Sequence, residues 1–245
     1  REGLLLGAIR DTALAFQPRR LRPVNAHKGF RAFRTRFRGE AGHSSRPDLH
    51  LSALRLAAAF LQALERLGEE LAAAPPGLAA GMEPPHTTIN AGRILGGQAI
   101  NIVPQDCVLE WEFRPAPGDD PEAIVDRLDA LYAAALPRDL AERGGRARTE
   151  TEALAAEPLF NPEPEGLAER LITALIGSNR CEAAAYGTEA GFFQSAGIST
   201  ILIGPGDIAQ AHQPDEYLEC EQLEQTLTLL DAMVSWAAGN ELAAP

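Results

Sequence analysis

Between residues 30 and 153 the hydrophobic pattern runs strand, helix, strand, strand, helix, strand, and this order constrains the fold more than any other feature. Residues 28–40 alternate, with Phe33, Thr35 and Phe37 on one face and Arg34, Arg36 and Arg38 on the other, which predicts an antiparallel strand with one wet face. Residues 48–71 place Leu51, Leu54, Ala58, Leu61, Leu64 and Leu71 at three- and four-residue spacing, the stripe of an amphipathic helix. A loop rich in Ala, Pro and Gly at 72–85 leads to a strand at 87–93, broken at Gly96-Gly97. Cys107, Leu109, Trp111 and Phe113 then face one way, and Val108, Glu110, Glu112 and Arg114 the other. Asp119-Asp120-Pro121-Glu122 opens a helix with an acidic cap, a proline in the first turn and acids at the positive dipole end. That helix carries Ile124, Leu128, Leu131 and Ala135, and residues 146–154 supply a last strand. The predicted unit is ferredoxin-like: four antiparallel strands with two helices on one face.

The remainder has another rhythm. Residues 166–177 form a helix through Leu167, Leu171, Ile172 and Leu175; 183–186 are short and apolar, and 188–196 are helical. The β-branched run 198–203 suits a strand covered on both faces, and 219–236 close as a helix with Leu223, Leu227, Leu230 and Val234 on one side. Such alternation over roughly ninety residues is half of an α/β domain, so the sheet needs more chain. The expected class is α/β: a partial α/β domain in residues 1–28 and 154–245, with an α+β domain inserted at 29–153.

Charge and composition exclude several functions. A net charge of −12 argues against a nucleic-acid partner. Residues 17–46 hold nine Lys/Arg and one acid, Glu40, whereas 181–245 hold ten Asp/Glu and no Lys or Arg. The acidic end favours a cation, a metal or a basic side chain, or serves solubility alone. The apolar runs 4–9 and 198–203 are too short to span a bilayer, and residues 1–16 lack a signal-peptide core, so a cytoplasmic protein without a membrane partner is expected. Cys107, Cys181 and Cys220 show no CxxC spacing and read as plain thiols.

Among the histidines, His212 follows the buried strand directly, in the Gly- and Pro-rich loop 204–217. Ligands of open α/β sheets sit beyond the carboxyl ends of strands, so His212 with Asp215 and Glu216 nearby suits a metal ligand, the alternative being a surface histidine. His43, in Gly42-His43-Ser44-Ser45 between strand and helix, is an oxyanion donor or general acid, or an incidental residue of a capping turn. Asn101 and Arg114 on adjacent strands form a carboxylate clamp, or else a hairpin with a solvent-facing arginine. His27, His50 and His86 read as surface or loop residues. Gly187-Thr188-Glu189-Ala190-Gly191 is no phosphate loop, and no Gly-x-Ser-x-Gly elbow exists.

Taken together, Ala26-His27-Lys28-Gly29, Gly42-His43-Ser44-Ser45, the Gly96-Gly97 turn leading to Asn101, Glu112-Phe113-Arg114-Pro115, Tyr186-Gly187-Thr188-Glu189-Ala190 and Ala211-His212-Gln213-Pro214-Asp215-Glu216 carry a resemblance. The chain resembles the dinuclear-zinc family of acetylornithine deacetylases, aminoacylases, succinyl-diaminopimelate desuccinylases and glutamate carboxypeptidases, the deacetylase branch above all. The resemblance covers about residues 23–236 and implies a zinc-peptidase-like α/β catalytic domain with an inserted dimerisation domain. It also implies a homodimer, two zinc ions with cobalt as a substitute, and hydrolysis of an N-acyl amino acid such as N-acetylornithine. By the same resemblance His212 is a zinc ligand, and His43 reaches across the dimer to polarise the scissile carbonyl. Asn101 and Arg114 bind the substrate carboxylate, and Gly187, Thr188 and Glu189 line the pocket. Two departures stand out. The family's His-x-Asp pair, bridging aspartate and Glu-Glu base lie further upstream than residues 1–16 reach, and a ligand glutamate falls near Gln17, an amide that contributes no charge to a metal. The alternative is a catalytically incomplete relative that dimerises and binds amino acids.

Overall fold

Two short strands precede the first one expected from the sequence. β1 (Thr12–Ala15) and β2 (Val24–His27) belong to a sheet that residues 199–202 complete, and Pro23 and Gly29 bracket β2. The computed structural model describes residues 12–15, 19–142, 146–163, 166–207, 209–210 and 213–239; Gln17 and His212 lie outside them. The chain divides into two compact units, one of residues up to Lys28 and from Glu157 on, the other Gly29–Ala156.

In the second unit, β3 (Phe30–Arg38), β4 (Gly42–His43), α1 (Ala53–Ala73), β5 (Thr88–Gly96), β6 (Ile102–Val103), β7 (Asp106–Arg114), α2 (Pro121–Ala135), α3 (Arg138–Ala141) and β8 (Arg148–Glu157) follow in order. The main sheet runs β5-β7-β3-β8, the ferredoxin-like order, with β3 and β5 both antiparallel to β7. The alternation of β3 and β7 does what the pattern predicts. Phe33 lies opposite Trp111 with rings 4.6 Å apart, and Phe37, Leu109 and Phe113 are buried with them against α1 and α2. Trp111 Nε1–H donates to buried Thr35 Oγ1 at 2.9 Å, satisfying the indole inside the core. On the wet face, Arg34 donates to Glu110 at 2.8 and 3.0 Å and to Glu152 at 2.9 Å. That pairing holds the Glu110 carboxyl below its usual range and answers much of the basic run with acids of β7 and β8.

Helix α1 rolls away from the expected stripe. Leu56, Ala57, Phe60, Ala63, Leu64, Leu67 and Leu71 are buried, whereas Leu54 and Ala58 are exposed and Leu61 is half-buried. Leu51 is buried too, but it precedes the helix, its carbonyl accepting the Glu40 N–H at 2.7 Å, so its phase does not carry into α1. Phe60, packed on Tyr132 at 5.1 Å, sets the face instead. The N-terminus of α2 follows the prediction: Asp120 accepts the Glu122 N–H at 3.0 Å and Pro121 fills the first position.

In the other unit, α4 (Leu167–Ile176), β9 (Glu182–Ala184), α5 (Ala190–Ser195), β10 (Ser199–Leu202) and α6 (Cys220–Gly239) join β1 and β2. The sheet order is β1-β10-β2-β9, with β1 parallel to β10, β2 antiparallel to β10 and β9 parallel to β2. As expected of a continuous apolar run, β10 is covered on both sides: Leu202 packs with Val24, Phe160 and Ala184, while Ile201 packs with Ala168, Ile172 and Leu229. The predicted face of α6 is a correction. Leu223, Leu227, Leu230 and Val234 are between 37% and 67% exposed, because Leu229 and Met233, one position away, reach the cluster on β10 and α4. No helix among the described residues is long and apolar enough to cross a membrane.

Candidate functional site

The short ladder β4–β6 carries two of the predicted site residues to one corner of the second unit. His43 pairs with Ile102, and the Ser44 N–H donates to the Asn101 carbonyl at 3.1 Å. The capping-turn alternative for His43 does not hold, since α1 begins ten residues later with Ser52 as its cap. Instead, the Ser45 N–H donates to His43 Nδ1 at 3.1 Å, with Ser45 Oγ at 2.8 Å from the same nitrogen. A backbone N–H can only donate, so the neutral ring carries its proton on Nε2. His43 is exposed, and among the described residues neither Nε2 nor the Asn101 side-chain amide meets a partner. The corner therefore presents an N–H donor and an amide outward, beside a cleft of about 290 Å³ lined by Ala41, Gly96, Gln98, Ile102 and Cys107.

Arg114 lies elsewhere. It ends β7, opposite Thr88, while the His43 corner adjoins the other end at Asp106, where Gly39 donates to the Gln105 carbonyl. Eight residue steps of an antiparallel strand separate the two ends, roughly 27 Å. The single-chain clamp of Asn101 and Arg114 expected from adjacent strands is thus not formed: Asn101 stands in the turn before β6, which pairs with β4 and not with β7, and Arg114 closes the far end of β7. Arg114 is half-buried, its guanidinium carbon 5.0 Å above the Phe30 ring and its Nε 3.3 Å from Glu112.

In the first unit His27, read from the sequence as a surface or loop residue, is fully buried in β2. Its Nδ1–H donates to the Lys28 carbonyl at 2.8 Å and its Nε2 accepts the Thr188 N–H at 3.3 Å. Burial pushes its pKa below the usual histidine value, keeping the ring neutral in that tautomer. The signal was present in the sequence: Val24-Asn25-Ala26-His27 between Pro23 and Gly29 is a four-residue strand pattern. Through this ring β2 holds Gly187-Thr188-Glu189, where Thr188 is buried and Glu189 exposed. Thr188 Oγ1 accepts the Ala190 N–H at 3.1 Å, closing the turn into α5.

The loop after β10 forms a cleft of about 270 Å³ lined by Asp207, Gln210, Glu216 and Tyr217, in the loop that contains His212; His212 itself lies outside the described residues. A catalytic zinc takes about three protein ligands and a water. Among the described residues no three His, Cys, Asp or Glu come together in such a group, so these residues do not by themselves hold that ion.

Residues 25–140 match the model of the peptidase dimerisation domain. The chain is 33% identical over 235 residues to the acetylornithine deacetylase of Myxococcus xanthus, covering 96% of this chain and 60% of that protein. It is 32% identical over 230 residues to the enzyme of the same name from Pasteurella multocida, covering 91% of this chain and 56% of that one. The chain thus spans less than two thirds of the length of these relatives. Among solved structures, it superposes on an aminopeptidase from Bacillus cereus (TM-score 0.67, 23% identity, 97% of this chain and 62% of that one). It also superposes on a tripeptidase from Staphylococcus aureus (TM-score 0.65, 20% identity, 98% and 62%), and both likenesses speak for the fold alone. By sequence the chain is a relative of the acetylornithine deacetylases that carries the peptidase dimerisation domain.

Proposed function

We propose that the complete protein hydrolyses the amide bond of an N-acyl amino acid, N-acetylornithine foremost, as a metal-dependent homodimer. The observation that carries this reading is the orientation of His43. Ser45 fixes its tautomer so that the exposed ring keeps an Nε2–H that no described residue engages, the donor that a carbonyl oxygen gaining negative charge requires. The names of the relatives support an amidohydrolase and, among amides, the acetyl group on ornithine.

The two ends of the dimerisation unit take separate tasks in this proposal. A substrate the size of an acylated amino acid does not bridge roughly 27 Å of strand, so the His43–Asn101 corner and Arg114 serve different substrate molecules on any one chain. His43 and Asn101 contribute to the partner's site, and Arg114 binds a substrate carboxylate through its terminal nitrogens. Strand β5 supports a homodimer: it ends the sheet, and it exposes Ile94 and Leu95 where a second copy can cover them. Zinc, when bound, supplies a Lewis acid and a metal-activated water. His212 is the ligand proposed from this chain, and the rest of the set lies in sequence outside these 245 residues.

A second reading has its own support. Gln17 stands where the resemblance asks for a carboxylate, which favours a dimerising, amino-acid-binding relative without hydrolysis. Amine release from N-acetylornithine by the full-length protein, with and without a chelator, separates the two. Chelator-sensitive release is expected; its absence with every N-acyl amino acid tried overturns the hydrolase. Ligand binding without zinc uptake in calorimetry would then establish the binding relative.

A further inference from the structure

We propose that His50 is a positioning residue for His43: its imidazole closes the loop 43–50 onto Gly42 and so holds Ser45 where it fixes the His43 tautomer. The consequence for hydrolysis rests on the role of His43 proposed above; the packing does not. Gly42 lies so close against the His50 ring that a Cβ on it would overlap the ring's Nε2, Cδ2 and Cε1 atoms. Both residues are half-buried, whereas residues 43–49 between them are all exposed. The loop therefore has no buried side chain of its own. Its internal bonds are local turns: Arg46 N–H to the His43 carbonyl at 3.1 Å, Leu49 N–H to the Arg46 carbonyl at 3.2 Å and His50 N–H to the Pro47 carbonyl at 3.4 Å. Ser44 ties the start of the loop to Asn101, and the ring on Gly42 ties its end back to β4.

The backbone that carries the ring is pinned. The Leu51 carbonyl accepts the Glu40 N–H at 2.7 Å, and the Ala53 N–H donates to the Pro104 carbonyl at 2.8 Å. A Cβ on Gly39 would fall on the Leu51 carbonyl oxygen, so residues 50–53 lie flat against 39–42. Gly42 does not have a positive φ, so space and not backbone conformation asks for glycine there. Successive side chains of a strand point to opposite faces, which places the His43 ring across β4 from His50. His50 therefore acts through the β4 backbone and Ser45, without touching His43. The bulk of its ring is what matters, and not its charge.

The test labels the histidines of the 245-residue chain with ¹⁵N and reads the His43 tautomer by NMR at about pH 8.5, above the usual histidine range. The wild type should carry the proton on Nε2 alone. His50→Ala should bring in the Nδ1–H form, and His50→Phe, which keeps a ring of similar bulk, should not. Gly42→Ala should disturb the tautomer as His50→Ala does, and Gly42→Ala/His50→Ala, in which the methyl enters the vacated space, should return toward wild type. In the full-length protein His50→Ala should lower kcat for N-acetylornithine about tenfold and leave KM within about twofold, the mark of a misplaced reacting group. An unchanged His43 tautomer in His50→Ala, or a double variant no better than Gly42→Ala, overturns the inference whatever the activity. A tautomer that shifts while hydrolysis keeps its wild-type rate upholds the positioning and removes His43 from the reaction.

Discussion

His27 and Thr188, 161 positions apart in sequence, are joined by a single hydrogen bond in which the buried imidazole Nε2 accepts the Thr188 N–H at 3.3 Å. A proton added at Nε2 would destroy that bond and place a charge on a fully buried ring. Burial places the folded pKa below the unfolded value near 6.5, so between those two values the unfolded chain binds more protons. His27 therefore contributes stability that is fully present above the unfolded pKa and is lost as pH falls toward the folded one, with a slope of up to about 1.4 kcal/mol per pH unit. Urea midpoints measured from pH 8 down to pH 5 should fall more steeply for the wild type than for His27→Gln. Identical slopes would show that the ring does not titrate with unfolding.

The roll of α1 gives a paired mutational test. Leu67→Ala empties a fully buried position between the aromatic cluster and the helix, and should cost about 2–5 kcal/mol. Leu54→Ala, on the exposed side, should change stability by less than about 0.5 kcal/mol. Equal losses in chemical unfolding would restore the stripe expected from leucine spacing.

Two glycines should respond with opposite signs. A Cβ on Gly191 would stand 2.5 Å from the Pro158 carbonyl oxygen, backbone that has no side-chain freedom to yield, so Gly191→Ala should destabilise by about 1–3 kcal/mol. Gly68, inside α1 with nothing within 4 Å of the added carbon, should gain about 0.4–1 kcal/mol on the same change. Thermal denaturation of the two variants reads both.

The sheet of the second unit was legible because β3 and β7 each bury one face, and period two survives only in strands of that kind. Helix phase was harder to read. In α1 a buried leucine outside the helix offset the stripe, and in α6 the leucine-rich face is not the one that packs on the β10 cluster. β1, β2 and the two-residue β6 were missed for a different reason: they are too short to show a period, and long-range pairing defines them. Among candidate site residues, His43 was proposed from its turn, whereas the bond from Ser45 that sets its tautomer is a geometric fact. Asn101 and Arg114 were joined on the strength of adjacent strands, but Asn101 stands in a turn before the two-residue β6, and only long-range pairing shows that β6 joins β4 and not β7.

The proposed division of labour between the two ends of the dimerisation unit is tested most directly by mixing variants. His43→Ala and Arg114→Ala should each abolish most hydrolysis alone in the full-length protein. When the two are co-refolded in equal amounts, half of the dimers are mixed, and each mixed dimer holds one site with both residues intact, so about a quarter of wild-type activity should return. Recovery near that level is the predicted result. No recovery, with mixed dimers demonstrated by mass, would mean that both residues act on one substrate from one chain and would contradict the account.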